Sequence, residues 1–181
     1  MFRFQTLASH ALLATLGFGL CAMAQHQHTH THGSLRMDAA VDERTITVQL
    51  EAPLDSLLGF ERAPRTAAER QRVADLATRL RATGQWLRPD PVAQCAAGQV
   101  QLRAPVLGWG DATPAQAPDG HADLDITVSF SCARATDARH LDVDLFAAFA
   151  GITTIQAQVA APQGQFKRAL TRKAPRLAWG D

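Results

Sequence analysis

Four histidines recur at every second position, His26, His28, His30 and His32, within the segment QHQHTHTHG at residues 25–33. Side chains two apart in an extended chain point the same way. The spacing therefore sets four imidazoles in a row, with neighbours close enough to share one ion. Neutral imidazole suits zinc, copper and nickel, whereas calcium and magnesium want oxygen. The segment holds no hydrophobic residue, so it has nothing to dock on a core and is expected to be a mobile arm. The competing reading is a polar leader whose histidines are idle. Ordering a mobile chain around an ion costs roughly 1–2 kcal/mol per residue fixed, so even a working arm need not bind tightly.

Two further histidines fit the same chemistry by strand parity. His121 shares a polar face with Asp123 and Asp125, and His140 shares one with Asp142 and Asp144. Each His-x-Asp pair offers one nitrogen and one carboxylate oxygen, and each is also compatible with an ordinary solvated strand face. Other chemistry finds no residues to build on: there is no Gly-x-Ser-x-Gly elbow, no His-Glu-x-x-His helix and no Gly-rich phosphate loop. The expectation is a binding protein and not an enzyme. A hydrolase with an open zinc position is the remaining catalytic alternative.

Composition narrows the partners. The chain of 181 residues is 46% hydrophobic and 19% charged, which is globular in kind. Lys plus Arg number 18 against 17 for Asp plus Glu, so no basic excess exists to neutralise a nucleic-acid backbone, and nucleic acid is not an expected partner. Arg3, the apolar run Ala11 to Leu20 and Ala22-Met23-Ala24 form a secretory signal over residues 1–24, with Gln25 first in the mature chain. A lipid anchor on Cys21 is the alternative, disfavoured by the bulky Leu20 before it. No later apolar stretch reaches membrane length, so the mature product is expected to be soluble and periplasmic or secreted. Its two remaining cysteines, Cys95 and Cys132, enter an oxidising compartment where a disulfide between them is expected.

The elements that must position these groups follow from periodicity. Leu35, Met37 and Ala39, then Ile46, Val48 and Leu50, alternate with polar residues on either side of Asp42-Glu43-Arg44, which reads as a β-hairpin. Residues 53–66 are expected to be a packed loop broken by Pro53, Gly59 and Pro64. Thr66 and Glu69 form a capping box ahead of Val73, Leu76, Ala77 and Leu80, so a helix is expected over 67–83, closed by Gly84. Further strands are read at Val100 to Ala104, Leu124 to Cys132, Leu141 to Leu145, Ile155 to Val159 and Gln165 to Thr171, with a flexible surface loop at 108–120. The expected class is α+β: a mostly antiparallel sheet of about six or seven strands, one main helix and one disulfide, in a single domain over 34–181.

Four stretches then acquire a common meaning. His30-Thr31-His32-Gly33, GFERAPRT from Gly59 to Thr66, HAD from His121 to Asp123, and LFAAFAG from Leu145 to Gly151 together resemble the zinc-regulated, His-rich periplasmic proteins of the ZrgA type. The resemblance covers roughly residues 30–178. It implies zinc binding in the periplasm in support of zinc uptake, with inner-membrane zinc transport components as partners. It also implies His30, His32 and His121 as ligand positions, and Glu61 as a further candidate. This chain departs from the pattern at Arg62, where members typically have His. It departs again at 108–120, a Pro/Ala-rich loop where many members carry a long His/Asp-rich insertion, so a large zinc store is not expected.

Taken together, the residues and the resemblance predict a zinc site drawn from His26, His28, His30, His32, His121, Asp123 and Glu61. Two arm histidines plus His121, with Asp123, Glu61 or water completing four ligands, would be tetrahedral. Copper or nickel would satisfy the same donors. The alternative function is a non-catalytic periplasmic module for a protein or other ligand, with an incidental His-rich leader.

Overall fold

The structure is a computed structural model that describes residues 32–110 and 122–180. The expected signal, the arm as far as residue 31, and most of the loop 108–120 lie outside the described residues. Along the chain run β1 (Ser34–Val41), β2 (Thr45–Pro53), α1 (Leu54–Leu58), α2 (Ala67–Arg81), β3 (Leu87–Pro89), β4 (Cys95–Arg103), β5 (Asp123–Cys132), β6 (His140–Val143), α3 (Leu145–Ala148), β7 (Thr154–Ala161), β8 (Gly164–Thr171) and β9 (Arg176–Ala178). The class is α+β with one main helix, α2.

The expected hairpin is present, with Met37 opposite Leu50 and Ala39 opposite Val48. It forms the middle of a six-stranded sheet of order β4-β5-β2-β1-β7-β8. All neighbours are antiparallel except β1 and β7. A parallel pair cannot be closed by a tight turn, and here the chain between them supplies both helices' layer and the opposite edge of the sheet. Alternation then sorts the faces. Leu35, Met37, Ile46, Val48, Leu50, Leu124, Ile126, Val128, Ile155 and Val159 are buried, while Asp38, Gln49, Gln101 and Thr127 line the other side.

The buried face is covered by α2 and by a smaller sheet of order β3-β6-β9, which share one hydrophobic cluster with it through Leu76, Leu80, Leu87, Leu141, Val143, Leu177 and Trp179. The three-residue strands β3 and β9 were not legible as strands, being too short to show a period. The Cys95–Cys132 disulfide joins directly opposed residues of β4 and β5. On the chain-entropy model, closing a loop of sequence separation 37 stabilises by about 4 kcal/mol. Cys132 is buried, as its parity requires.

Three local expectations are corrected. Helix α2 carries the expected capping box and buries Val73, Leu76, Ala77 and Leu80, but it ends at Arg81, and Gly84 sits in a 3-10 turn over Thr83–Gln85. The reason is Trp86: its indole is buried under the helix end and donates to the Leu80 carbonyl at 3.0 Å, so the chain must turn at once. The strand expected to run to Leu145 stops at Val143. Leu145 and Phe146 are both buried, and adjacent side chains reach one core only on a helical turn, not on a strand. The stretch after Pro53, expected to be a loop, opens with α1, whose Leu54 and Leu58 lie one helical turn apart and are both buried.

Candidate metal centre

The site is built where β2 runs out. Pro53 is paired with Asp123, and the next residue, Leu54, donates its N–H to the Ala122 carbonyl at 2.9 Å. That bond fixes the start of α1 against the start of β5 and sets Asp55 in the first helical turn, the end at which a carboxylate is favoured. Gly59 then takes the left-handed conformation, φ 81°, while its N–H caps the Asp55 carbonyl at 2.8 Å. A side chain would strain that backbone. The reversal it permits returns the chain so that Glu61 comes back beside Asp55.

The other wall comes from the start of β1. Gly33 donates its N–H to the Ser56 hydroxyl at 3.0 Å, and its carbonyl accepts from the N–H groups of Thr153 and Thr154 at 2.8 and 3.1 Å. The Thr153 hydroxyl adds a third bond to that carbonyl at 3.0 Å. Residues 149–151 close over this knot. A Cβ on Gly151 would fall 2.4 Å from the Ser56 carbonyl oxygen, so only glycine permits the approach. The last two residues of the expected mobile arm are therefore tied to the fold, by backbone hydrogen bonds that need no hydrophobic side chain.

These two walls bring His32, Asp55 and Glu61 together, with one ligand atom from each within 4.8 Å of the others. His32 Nδ1 is hydrogen-bonded to Asp55 Oδ2, and the Ser56 hydroxyl donates to Asp55 Oδ1 at 3.2 Å. The His32 side chain is 69% exposed and that of Asp55 24%, so the group opens to solvent and an ion can enter. Zinc bound at 2.0–2.2 Å to tetrahedral ligands holds them roughly 3.4 Å apart, a contraction that side-chain rotation supplies. One nitrogen and two carboxylates leave a fourth position open.

Arg62, which stands where the resemblance leads one to expect His, is turned away from a ligand role. Its guanidinium forms a bidentate pair with Glu69, at 2.8 and 3.1 Å, and lies over the Phe60 ring. That pair, joined by the N–H groups of Arg65 and Thr66, holds the Glu69 carboxyl down to about 2. The segment carrying Glu61 is thereby fastened to the head of α2.

Of the ligands expected from sequence, His32 and Glu61 meet in this group. His26, His28, His30 and His121 lie outside the described residues. Asp123 is described, at the start of β5 opposite Pro53, and is not a member of the group. Asp55 was missed: in PLDSLLG the breakers Pro53 and Gly59 read as a loop, although Pro-x-Asp before paired leucines also fits a short helix with an acidic first turn. His140 pairs with Asp90 at 3.1 Å in the small sheet, where the two side chains are 19% and 15% exposed.

Comparison with known sequences agrees with this geometry. Residues 29–179 match a family described as ZrgA family zinc uptake protein. No curated protein matches the chain significantly. Among the described residues, no helix is long and apolar enough to cross a membrane.

Proposed function

This chain belongs to the ZrgA family of zinc uptake proteins, and from that premise we propose that it is a non-enzymatic periplasmic zinc carrier, which captures the ion at His32, Asp55 and Glu61 and hands it to inner-membrane transport components. The observation that carries the reading is the convergence of those three donors from separate parts of the chain at a solvent-open corner. A nitrogen with two carboxylates is a donor set suited to zinc, and copper or nickel would also be accepted. Partial exposure and an open fourth position favour exchange over permanent storage.

In this reading His26, His28, His30 and His121 are the capturing ligands that visit the fourth position. The chain geometry supports it: His30 is two residues before His32, and His121 precedes Ala122, whose carbonyl is bonded to the residue before Asp55. Asp123 lies at the same corner and adds negative charge that attracts the cation. Residues 1–24 act as the export signal, and the disulfide suits an oxidising compartment.

Competition titration of the mature protein, residues 25–181, against a chromophoric zinc chelator tests this. Binding well below micromolar that is lost in H32A/D55A is the expected result. Dissociation constants weaker than about 100 µM for zinc, copper and nickel alike would instead favour a module for a protein or other ligand.

A further inference from the structure

Beside the metal corner, and sharing Asp55 with it, lies a cavity of about 410 Å³ between α1, α2 and residues 148–151. Its far wall is one face of α2, where Arg72, Asp75 and Arg79 stand at i, i+3 and i+7. Asp75 accepts from the Gln71 side chain at 2.9 Å, and Arg79 reaches across to the Ala148 carbonyl at 3.4 Å. Arg72 forms no ion pair with another described residue. The floor is rigid, because Gly151 packs directly on the Ser56 carbonyl.

We propose that this cavity binds a small organic carboxylate together with the metal, so that zinc is taken up as a ternary complex. The inference rests on the zinc site proposed above and adds its co-substrate. The formal charge lining the corner and cavity decides the sign. Without metal, Asp55, Glu61 and Asp75 outweigh Arg72 and Arg79 by one negative unit, and a divalent ion turns this to one positive unit. An anion is repelled from the empty site and attracted to the loaded one.

The geometry suits two attachments at once. One carboxylate takes the fourth zinc position, and a second group of the same molecule reaches the guanidiniums, which bind carboxylates through paired N–H donors. The volume is at the small end of ligand pockets, which fits a metabolite-sized acid and excludes a folded partner. By linkage, the anion tightens zinc by the same factor that zinc tightens the anion. Where the anion is scarce, arm histidines take the fourth position in its place.

The test is zinc titration of the mature protein at fixed ionic strength, alone, with succinate, and with succinamide, which has the same length and no charge. Succinate should tighten zinc binding by about tenfold, and succinamide should leave it unchanged. R72Q/R79Q should bind zinc alone within about threefold of wild type, since both side chains are exposed, and should lose the succinate effect. R72Q, which gives up no described ion pair, should lose most of it with unchanged circular dichroism. Zinc binding that is intact but indifferent to succinate, or tightened equally in R72Q/R79Q, overturns the proposal and leaves the zinc site standing. A wild-type protein that binds no zinc under any condition overturns both.

Discussion

Two corners of this molecule hold a histidine against an aspartate, and they differ in every respect that matters to a metal. At His140 the partner Asp90 is saturated: one oxygen accepts the Val92 N–H at 3.1 Å, and the other accepts from the Arg139 N–H and from His140, each at 3.1 Å. The neighbouring carboxylate, Asp142, is taken by Arg176 at 2.7 Å, and that bond holds its carboxyl below the usual range. Cations and backbone donors have used the oxygens, so the corner is a structural clasp between the turn after β3 and the start of β6. At His32 the partner Asp55 faces solvent beside a second carboxylate, Glu61, and a cavity. A His–Asp pair becomes a metal site only where its carboxylate still has oxygen to give.

The largest expected effect breaks the comparison directly. D55A should weaken zinc binding by more than about a hundredfold, since loss of even an outer partner of a ligand costs about 10–100-fold, whereas H140A should leave affinity within threefold. Equal losses in competition titrations would abolish the distinction between the corners.

A second measurement sharpens it by counting histidines. An imidazole must be neutral to ligate. At the ordinary histidine pKa of about 6.5, each one in the site costs about tenfold in affinity between pH 7.5 and 5.5. A loss of about tenfold means His32 acts alone, and about a hundredfold or more means that histidines outside the described residues join it. An unchanged affinity would remove histidine as a principal ligand.

The clasp should reveal itself in stability and not in binding. D90A removes the cap on the turn at Val92 and the bonds to Arg139 and His140, and should lower unfolding free energy by about 2 kcal/mol. D55A, at an exposed corner, should lower it by less than about 1 kcal/mol. Denaturant melts of both variants at neutral pH would show the order.

The smallest effect concerns the fastening of Glu61 to α2. Glu69 sits at about 2 in the folded protein against an ordinary value of 4.5. A depressed carboxyl stabilises fully above the unfolded value and loses its contribution as pH falls through the folded one. The melting temperature of wild type should therefore exceed that of E69Q at pH 6, and the difference should shrink between pH 4.5 and 2. A gap that persists at pH 2 would mean that Glu69 acts by shape and not by charge.

The main sheet and α2 were legible because each buries one face over eight or more residues, long enough for a period of two or of 3.6 to show. Leu145 was misread for the opposite reason: two hydrophobic residues in succession carry no period, and only the core they enter tells a strand end from a helical turn. Asp55 escaped for a similar reason, since α1 is five residues long and its breakers outweigh its pattern.

What the residues determined by themselves was a face for each long strand, the cap and stripe of α2, the pairing of two cysteines, and a supply of metal-binding side chains. Which of those side chains meet was decided by tertiary structure alone. His32, Asp55 and Glu61 converge because β1 and β2 are joined, Leu54 is tied to Ala122, Gly59 reverses the chain, and Gly151 lets two backbones nearly touch. None of these has a local signature. Periodicity reports which face of an element a residue occupies, whereas coordination depends on distances between elements, and those are set by packing across the whole core.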